Sequence, residues 1–286
     1  MRLTFVTSTA SRDADTDLPL LVDAAHAREI DAAISVWDDP DVAWGDFDLV
    51  VVRSCWDYLA RREEFLAWAA TVPRIANPAD VLAWNTDKAY LRQLADAGVP
   101  VIPTQWDVAP GDDLGPYTEW VVKPSISAGS RDTARWTSPD DVYAHSADLQ
   151  AEGRTAMVQP YISSVDAEGE TAILSIGGQF SHAICKEALL LPGEGIRQDR
   201  DGREVITARK PTSDQLAVAK AALDAIEPAM GTRVDLLYSR VDLVTGPHGE
   251  PLVIELELTE PSLFLHTHAD APARLIAAAE EAVRSR

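Results

Sequence analysis

The stretch from Arg240 to Ser262, RVDLVTGPHGEPLVIELELTEPS, decides how the chain is organised. Apolar residues alternate through LLYSRVDLV, a turn follows at TGPHGEP, and LVIELEL alternates again, the period-two pattern of an antiparallel hairpin with one buried face. The acids therefore fall on strands. Side chains alternate across a strand, so Asp242 on the first and Glu255 and Glu257 on the second are expected to converge on one face. They read either as the solvated outer face of a hairpin or as ligands of a hard divalent cation, with Mg²⁺ the natural candidate. Arg240, two residues before Asp242 and on the same face, favours the cation, because a planar guanidinium beside metal ligands suits a phosphate held between them.

The 286 residues, 46% of them hydrophobic, suffice for two or three small domains or one large α/β unit. A formal charge of -21 opposes nucleic acid and anionic membrane surfaces as partners, while leaving room for a small anion in a locally basic pocket. Cys55 and Cys185 allow at most one bridge, the N-terminus MRLTFVTSTAS lacks a signal-peptide pattern, and no apolar run approaches membrane-spanning length. A soluble cytoplasmic protein is expected, with a homodimer as the commonest assembly. Arginine far outnumbers lysine, so each of Lys88, Lys123, Lys186, Lys210 and Lys220 flags a place where a compact ammonium is preferred to a guanidinium fork.

From the N-terminus, LTFVT, ISVW and DLVVVRS read as strands separated by the helix LPLLVDAAHAREI, the pattern of a parallel sheet whose ligands lie beyond the strand C-termini. Ser8 and Thr9 follow the first strand, and Arg53, Ser54, Trp56, Asp57 and Tyr58 follow the third; these are candidates for a substrate surface, and RSCWDY reads equally as a capping loop with a packed Trp. The segment ADVLAWNTDKAYLRQLADAG carries two helices, with Lys88 expected in the first turn of the second and Asn85 or Thr86 as its cap. A lysine there opposes the helix dipole, which a bound anion explains better than simple exposure. EWVVK is a strand ending in Lys123, followed by a loop of small residues from Ser125 to Ser130 with Gly129, suited to closing backbone N–H groups over phosphates. Neither the Walker pattern nor the Rossmann glycine fingerprint is present. TAMVQPYI reads as a strand interrupted at Pro160, whose unpaired edge groups can read a purine ring. The polar loop from Pro192 to Glu204 is either a lid or plain surface.

Together these pieces resemble the ATP-grasp superfamily, by motif over the last two-thirds of the chain and by strand order over the first third. The resemblance implies an α/β (α+β) fold in three parts: an N-terminal substrate domain over residues 1–83, a central lid domain over 84–158, and a C-terminal domain with the Mg²⁺ site over 159–286. On that pattern Lys88 and Lys123 hold the nucleotide phosphates, and Ser125, Ser127, Gly129 and Ser130 belong to the flexible cover. Gln159, Pro160, Tyr161 and Ile162 grip adenine, Asp166 binds ribose, and Lys186 reaches the phosphates. Arg240 and Asp242 match the family's Arg-x-Asp, and Glu255 and Glu257 its Glu-x-Asn; Glu257 departs from the usual asparagine, adding charge at the metal. More narrowly, RSCWDY, WNTDK and ELELTEPSLF resemble a bacterial subgroup that includes the O-ureido-serine cyclo-ligase of D-cycloserine biosynthesis.

What the resemblance implies is carboxylate activation: ATP and Mg²⁺ as cofactors, Arg240 and Lys123 stabilising phosphoryl transfer to an amino-acid-like substrate, and attack on the resulting acyl phosphate by a nitrogen of the same molecule. Glu260 and Ser262 are placed to meet that substrate, Ser262 by donating to its carboxylate. The competing readings are a ligase that joins two separate molecules and a non-catalytic nucleotide-binding module, the latter disfavoured because the acids are present. His182, His266 and His268 read as structural, and Cys55 and Cys185 as packing residues.

Overall fold

The computed structural model describes residues 1–198 and 205–285, which are built around three sheets. The first part runs β1 (Arg2–Thr7), α1 (Asp17–His26), β2 (Asp31–Val36), β3 (Leu49–Ser54), α2 (Arg62–Thr71) and β4 (Ile75–Ala76), with all strands parallel in the order β2-β1-β3-β4. Every residue of β3 is buried, as a run of LVVVRS between two helical layers requires. On one face Leu3, Phe5, Leu49 and Val51 meet Leu18 and Leu21 of α1. On the other, Val50 and Val52 meet Phe65 of α2 in a cluster that also holds Trp37 and Tyr58.

Next come α3 (Ala79–Asn85), α4 (Tyr90–Asp96), β5 (Gln105–Trp106), β6 (Trp120–Pro124), β7 (Ala134–Trp136), α5 (Pro139–Ala151) and β8 (Ala156–Pro160). Their strands form an antiparallel sheet in the order β5-β8-β6-β7, covered by Val142 and Leu149 of α5. Proline as the first helical residue suits the start of α5, since its missing N–H would have had no partner there.

The last part contains α6 (Ser164–Glu168), β9 (Glu170–Ile176), β10 (Gln179–Lys186), β11 (Ile206–Ala208), α7 (Ser213–Asp224), α8 (Ile226–Met230), β12 (Tyr238–Thr245), β13 (Pro251–Glu257) and α9 (Ala271–Arg284). Its sheet is antiparallel in the order β11-β10-β9-β12-β13. The hairpin read from Arg240 onward is β12–β13. Its register sets Arg240 opposite Glu257 and Asp242 opposite Glu255, with an irregularity just beyond Asp242. Gly169 admits no side chain: at φ +69° a Cβ would lie 2.5 Å from the Lys186 carbonyl oxygen, so the chain passes close against the end of β10 and enters β9 with Glu170 opposite Lys186.

Two local expectations need correction. Lys88 lies between α3 and α4, and α4 begins at Tyr90, so Asn85 closes α3 and Thr86 is its C-cap instead of either capping the second helix. Pro160 ends β8 and does not interrupt it, because Tyr161 N–H continues to the Glu119 carbonyl at 2.9 Å while the proline itself has no N–H to give. Packing runs between the parts: Val81, Tyr90, Leu91 and Leu94 pack with Ile173, Val241 and Val253 of the third sheet, while Leu3 and Leu21 share a core with Leu174, Leu275 and Ile276. Among the described residues no helix is long and apolar enough to cross a membrane.

Candidate active site

Two clefts adjoin, enclosing about 800 and 870 Å³ with their solvent-open mouths included. They share Lys88, Lys186, Glu255 and the loop Ser127–Ser130, so the junction is polar and basic. Beyond the junction they differ. The larger is walled by apolar side chains, Ile102, Val121, Ile162, Val165, Val244 and Ile254, with Lys123, Gln159, Pro160, Tyr161 and Glu170 also on its lining. The smaller is lined by Trp56, Tyr58, Arg240, Glu257, Glu260 and Ser262, together with Asn85, Thr86 and Phe264. One cavity suits a flat apolar ring and the other a zwitterion, with a cationic passage between them.

The junction is built by the strands. Lys88 donates to the carbonyl of Ser127 and lies 3.1 Å from Glu255; it is buried, which rules out the reading of a simply exposed lysine. Ser125 does not line either cavity: its N–H goes to Thr155 and its carbonyl accepts from Lys88, so it anchors the loop. Gly129 and Ser130 both have positive φ, which turns the loop over the junction. Burial lowers the Lys123 ammonium to about 8, Glu255 opposing this and Lys88 adding to it. Lys186 contacts Asp242 at 2.7 Å and Glu170 at 2.9 Å, and against its burial these two acids raise its pKa.

The acids on β12 and β13 share a face, as their pattern predicts, but they do not converge into one cage. Asp242 is 1% exposed and is clamped by Lys186 and by Arg240, whose Nε lies 2.8 Å away; against burial these cations hold its pKa down to about 2. Glu255 turns to Lys88, and Glu257 pairs with Arg240. Burial, with Glu255 and Asp242 nearby, pushes Glu257 up to about 8 despite the opposing Arg240. No group of three His, Cys, Asp or Glu side chains among the described residues is arranged to hold a metal ion. Each carboxylate instead turns to the lysine or arginine that another position brings nearest. The donor set still fits Mg²⁺, because all donors are hard oxygens, the raised Glu257 carboxyl is one that a nearby cation would ionise, and Mg²⁺ is usually held by one or two carboxylates with substrate phosphates completing the shell.

The floor of the smaller cavity is the segment from Leu258 to Leu265, and buried side chains from distant parts of the chain hold it. Asn77 and Asn85 grip Leu258, the Tyr238 hydroxyl donates to the Thr259 carbonyl, and Trp56 Nε1 donates to the Glu260 carbonyl. Arg53 donates to the Pro261 carbonyl at 2.9 Å, Arg240 to that of Ser262 at 3.0 Å, and Asp17 accepts from the N–H groups of Leu263 and Leu265. His182 Nε2 lies 2.9 Å from the Leu263 carbonyl and so carries the proton there. Burial pushes the Glu260 carboxyl up to about 7, Lys88 opposing it, and the Tyr58 hydroxyl is its side-chain hydrogen-bond partner.

Of the candidates for a substrate surface, Trp56, Tyr58, Glu260 and Ser262 come together. Ser8, Thr9, Arg53, Ser54 and Asp57 line neither cavity: Ser8 and Ser54 are fully buried in hydrogen bonds at the ends of β1 and β3, Thr9 is exposed, and Asp57 accepts from Trp37. Arg53 supports the floor from below. Asp166 is also off the cavity wall, bonded to the Tyr161 hydroxyl at 2.6 Å and to Arg135. Glu170, which sequence reading passed over, faces the apolar cavity instead; its place as the first residue of an alternating strand after a glycine was the available signal. Of the loop 192–204, residues 199–204 lie outside the described residues. In the described part Arg197 N–H donates to the Thr133 carbonyl, and just before the loop Leu189 and Leu190 line the larger cavity.

Comparison with known proteins agrees with this architecture. A family model described as D-cycloserine synthetase DcsG, N-terminal domain, matches residues 3–79, the third of the chain that the motifs covered least. The cycloserine biosynthesis protein DcsG of Streptomyces lavendulae is 38% identical over 299 residues, covering 99% of this chain and 99% of that protein. The crystal structure of D-cycloserine synthetase DcsG superposes with a TM-score of 0.89 at 38% identity, over 99% of this chain and 100% of that one. The D-alanine–D-alanine ligase of Bacillus anthracis, solved in complex with ATP, has the same fold at a TM-score of 0.67 and 15% identity, covering 100% of this chain and 98% of that one. The apolar and polar cavities, the basic junction and the hairpin acids thus sit on a shared framework, and the chain belongs to the D-cycloserine synthetase family of ATP-grasp ligases.

Proposed function

We propose that this enzyme cyclises O-ureido-D-serine to D-cycloserine at the expense of ATP. The observation that carries the reading is the pairing of an apolar cavity with a polar one across a junction that holds Lys88 and Lys186, with Arg240 on the polar side. Adenine fits between Ile102, Val121, Ile162 and Ile254, with Gln159 to Ile162 along its edge and Glu170 near the ribose side. The phosphates meet Lys88, Lys123 and Lys186 and the backbone of Ser127–Ser130. Asp242, Glu255 and Glu257 would hold Mg²⁺, which when bound neutralises charge on the phosphates. An ATP-consuming reaction implies the cytoplasm as its location.

The substrate carboxylate enters from the smaller cavity and takes the γ-phosphoryl group, which makes one of its oxygens a leaving group. Arg240 meets the transferring group with its guanidinium already oriented by Asp242 and the Ser262 carbonyl, so little reorganisation is needed as charge develops. The oxygen-bound nitrogen of the ureido group then attacks the acyl carbon, loses its proton and expels phosphate, closing a five-membered ring. Loss of the carbamoyl group from that nitrogen to water gives D-cycloserine. The enclosing loop at Ser127–Ser130 and the docked segment around Leu189 and Arg197 keep water from the acyl phosphate, and holding both ends of one molecule supplies a high effective concentration of the nucleophile.

The test is ADP release from purified protein given Mg²⁺-ATP and O-ureido-D-serine alone, with mass spectrometry of the product. Stoichiometric D-cycloserine is expected, and Asp242→Asn and Glu255→Gln should each abolish it. ADP release that requires an added amine would replace cyclisation with intermolecular ligation, and full turnover by Asp242→Asn would sink the metal assignment.

A further inference from the structure

The carboxylates around the smaller cavity differ in what neutralises them. Glu255 faces Lys88 and Glu257 faces Arg240. Glu260 lines the same cavity, yet among the described residues no lysine, arginine or histidine lies within ion-pair distance of it; its partner is the neutral hydroxyl of Tyr58. Its backbone is fixed on both sides, through Trp56 to its own carbonyl and through Arg53 to that of Pro261. An acid so placed makes no ion pair of its own, and Lys88 acts on it only from beyond ion-pair distance.

A zwitterionic amino acid has the opposite need. Its carboxylate is drawn to the junction with Lys88, Lys186 and Arg240, and the same cations repel its ammonium, which cannot enter a partly enclosed cavity unpaired without a large desolvation cost. We infer that Glu260, with the Tyr58 hydroxyl, is the subsite for the α-ammonium group of the substrate. The carboxylate accepts from the ammonium, and Tyr58 orients the carboxylate. Specificity for an amino acid over a simple carboxylic acid then resides in Glu260, away from the phosphoryl-transfer residues. The inference rests on the proposed substrate class and deepens it.

The experiment compares O-ureido-D-serine with its des-amino counterpart, 3-(ureidooxy)propanoate, on the full-length enzyme and on Glu260→Gln. Turnover is followed by ADP release, and binding by calorimetry on enzyme loaded with Mg²⁺ and a non-hydrolysable ATP analogue. The wild type should prefer the amino compound, and Glu260→Gln should raise its KM roughly 10- to 100-fold while leaving kcat within a few fold. The kinetic constants and affinity of the des-amino compound should be unchanged by the substitution, and unchanged affinity for the ATP analogue shows that the variant is folded. Equal losses for both compounds, a loss confined to kcat, or a retained preference in Glu260→Gln would overturn the subsite. If the wild type releases no ADP but still binds the amino compound preferentially through Glu260, the subsite stands and the proposed cyclisation falls.

Discussion

Asp17 should be among the most sensitive positions in the molecule although it touches neither cavity. Its two carboxylate oxygens accept from Leu263 N–H at 2.9 Å and Leu265 N–H at 2.8 Å, and it lies 3.5 Å from Arg53 Nη2, with side chains 3% and 1% exposed respectively. Among the described residues Arg53 Nε and Nη1 have no hydrogen-bond partner, and Asp17 is the group that balances this buried guanidinium. Asp17→Asn keeps the shape, replaces one acceptor by an NH₂ that meets a backbone N–H, and leaves Arg53 without a counter-charge. Losing one charge-assisted bond costs about 1.5–3 kcal/mol, and breaking a buried pair by removing one partner costs about 3–5 kcal/mol in all. The melting temperature should fall by on the order of 10 °C. Thermal and urea unfolding of Asp17→Asn, Arg53→Met and the double variant measure this, and the double variant should be more stable than the sum of the singles by about 1–3 kcal/mol. Because Asp17 fixes the floor that carries Glu260 and Ser262, the KM of the single variant should also rise. A loss within about 0.5 kcal/mol of zero, or strict additivity, would refute the reasoning.

Three further outcomes follow from other buried groups. Since burial lowers Lys123 to about 8, the nucleotide site without phosphates loses this charge as pH rises through that value; ATP-analogue binding at pH 9 should take up a proton and weaken relative to pH 7, and Lys123→Arg should flatten both effects in calorimetry. Asn77 donates to the carbonyls of Tyr238 and Leu258 and accepts from Leu237 N–H at 2.7 Å, so Asn77→Ala, which leaves three buried groups unpaired, should cost at least about 3 kcal/mol in urea unfolding. His182 has its pKa lowered by burial and, more weakly, by His268, while its bond to Leu263 opposes this. A depressed pKa gives stability that is present above the unfolded value near 6.5 and lost as pH falls through the folded one, so the stability difference between wild type and His182→Gln should shrink from pH 7 to pH 5.

Much of the framework was legible because it depends on local pattern. The period-two alternation on either side of TGPHGEP specified the β12–β13 hairpin, and with it the common face of Arg240, Asp242, Glu255 and Glu257, since strand geometry alone decides which side chains share a face. The uniform burial of β3 was equally readable in LVVVRS. Lys88 and Lys123 stood out as rare lysines, and both lie on the cavity walls. The charge state of the hairpin acids was not legible, because it depends on which cation from another element comes nearest: Lys88 from the α3–α4 turn and Lys186 from β10.

The position of Arg53 shows the same division. Its place at the end of a parallel strand suggested a substrate contact, which is a sound inference from topology. The structure instead lays the segment Leu258–Leu265 over it, so that Arg53 donates to a carbonyl 208 residues away and Tyr58, four residues before the helix that follows it, meets Glu260. Periodicity, turns and rare lysines are properties of neighbouring residues, and the sequence by itself determined the strands, their faces and the family resemblance. Which acid is neutralised, which faces the cavity with its charge unmatched, and which arginine lies beneath the floor were decided only in the tertiary structure, because burial and ion pairing are set by groups that meet after the chain has folded.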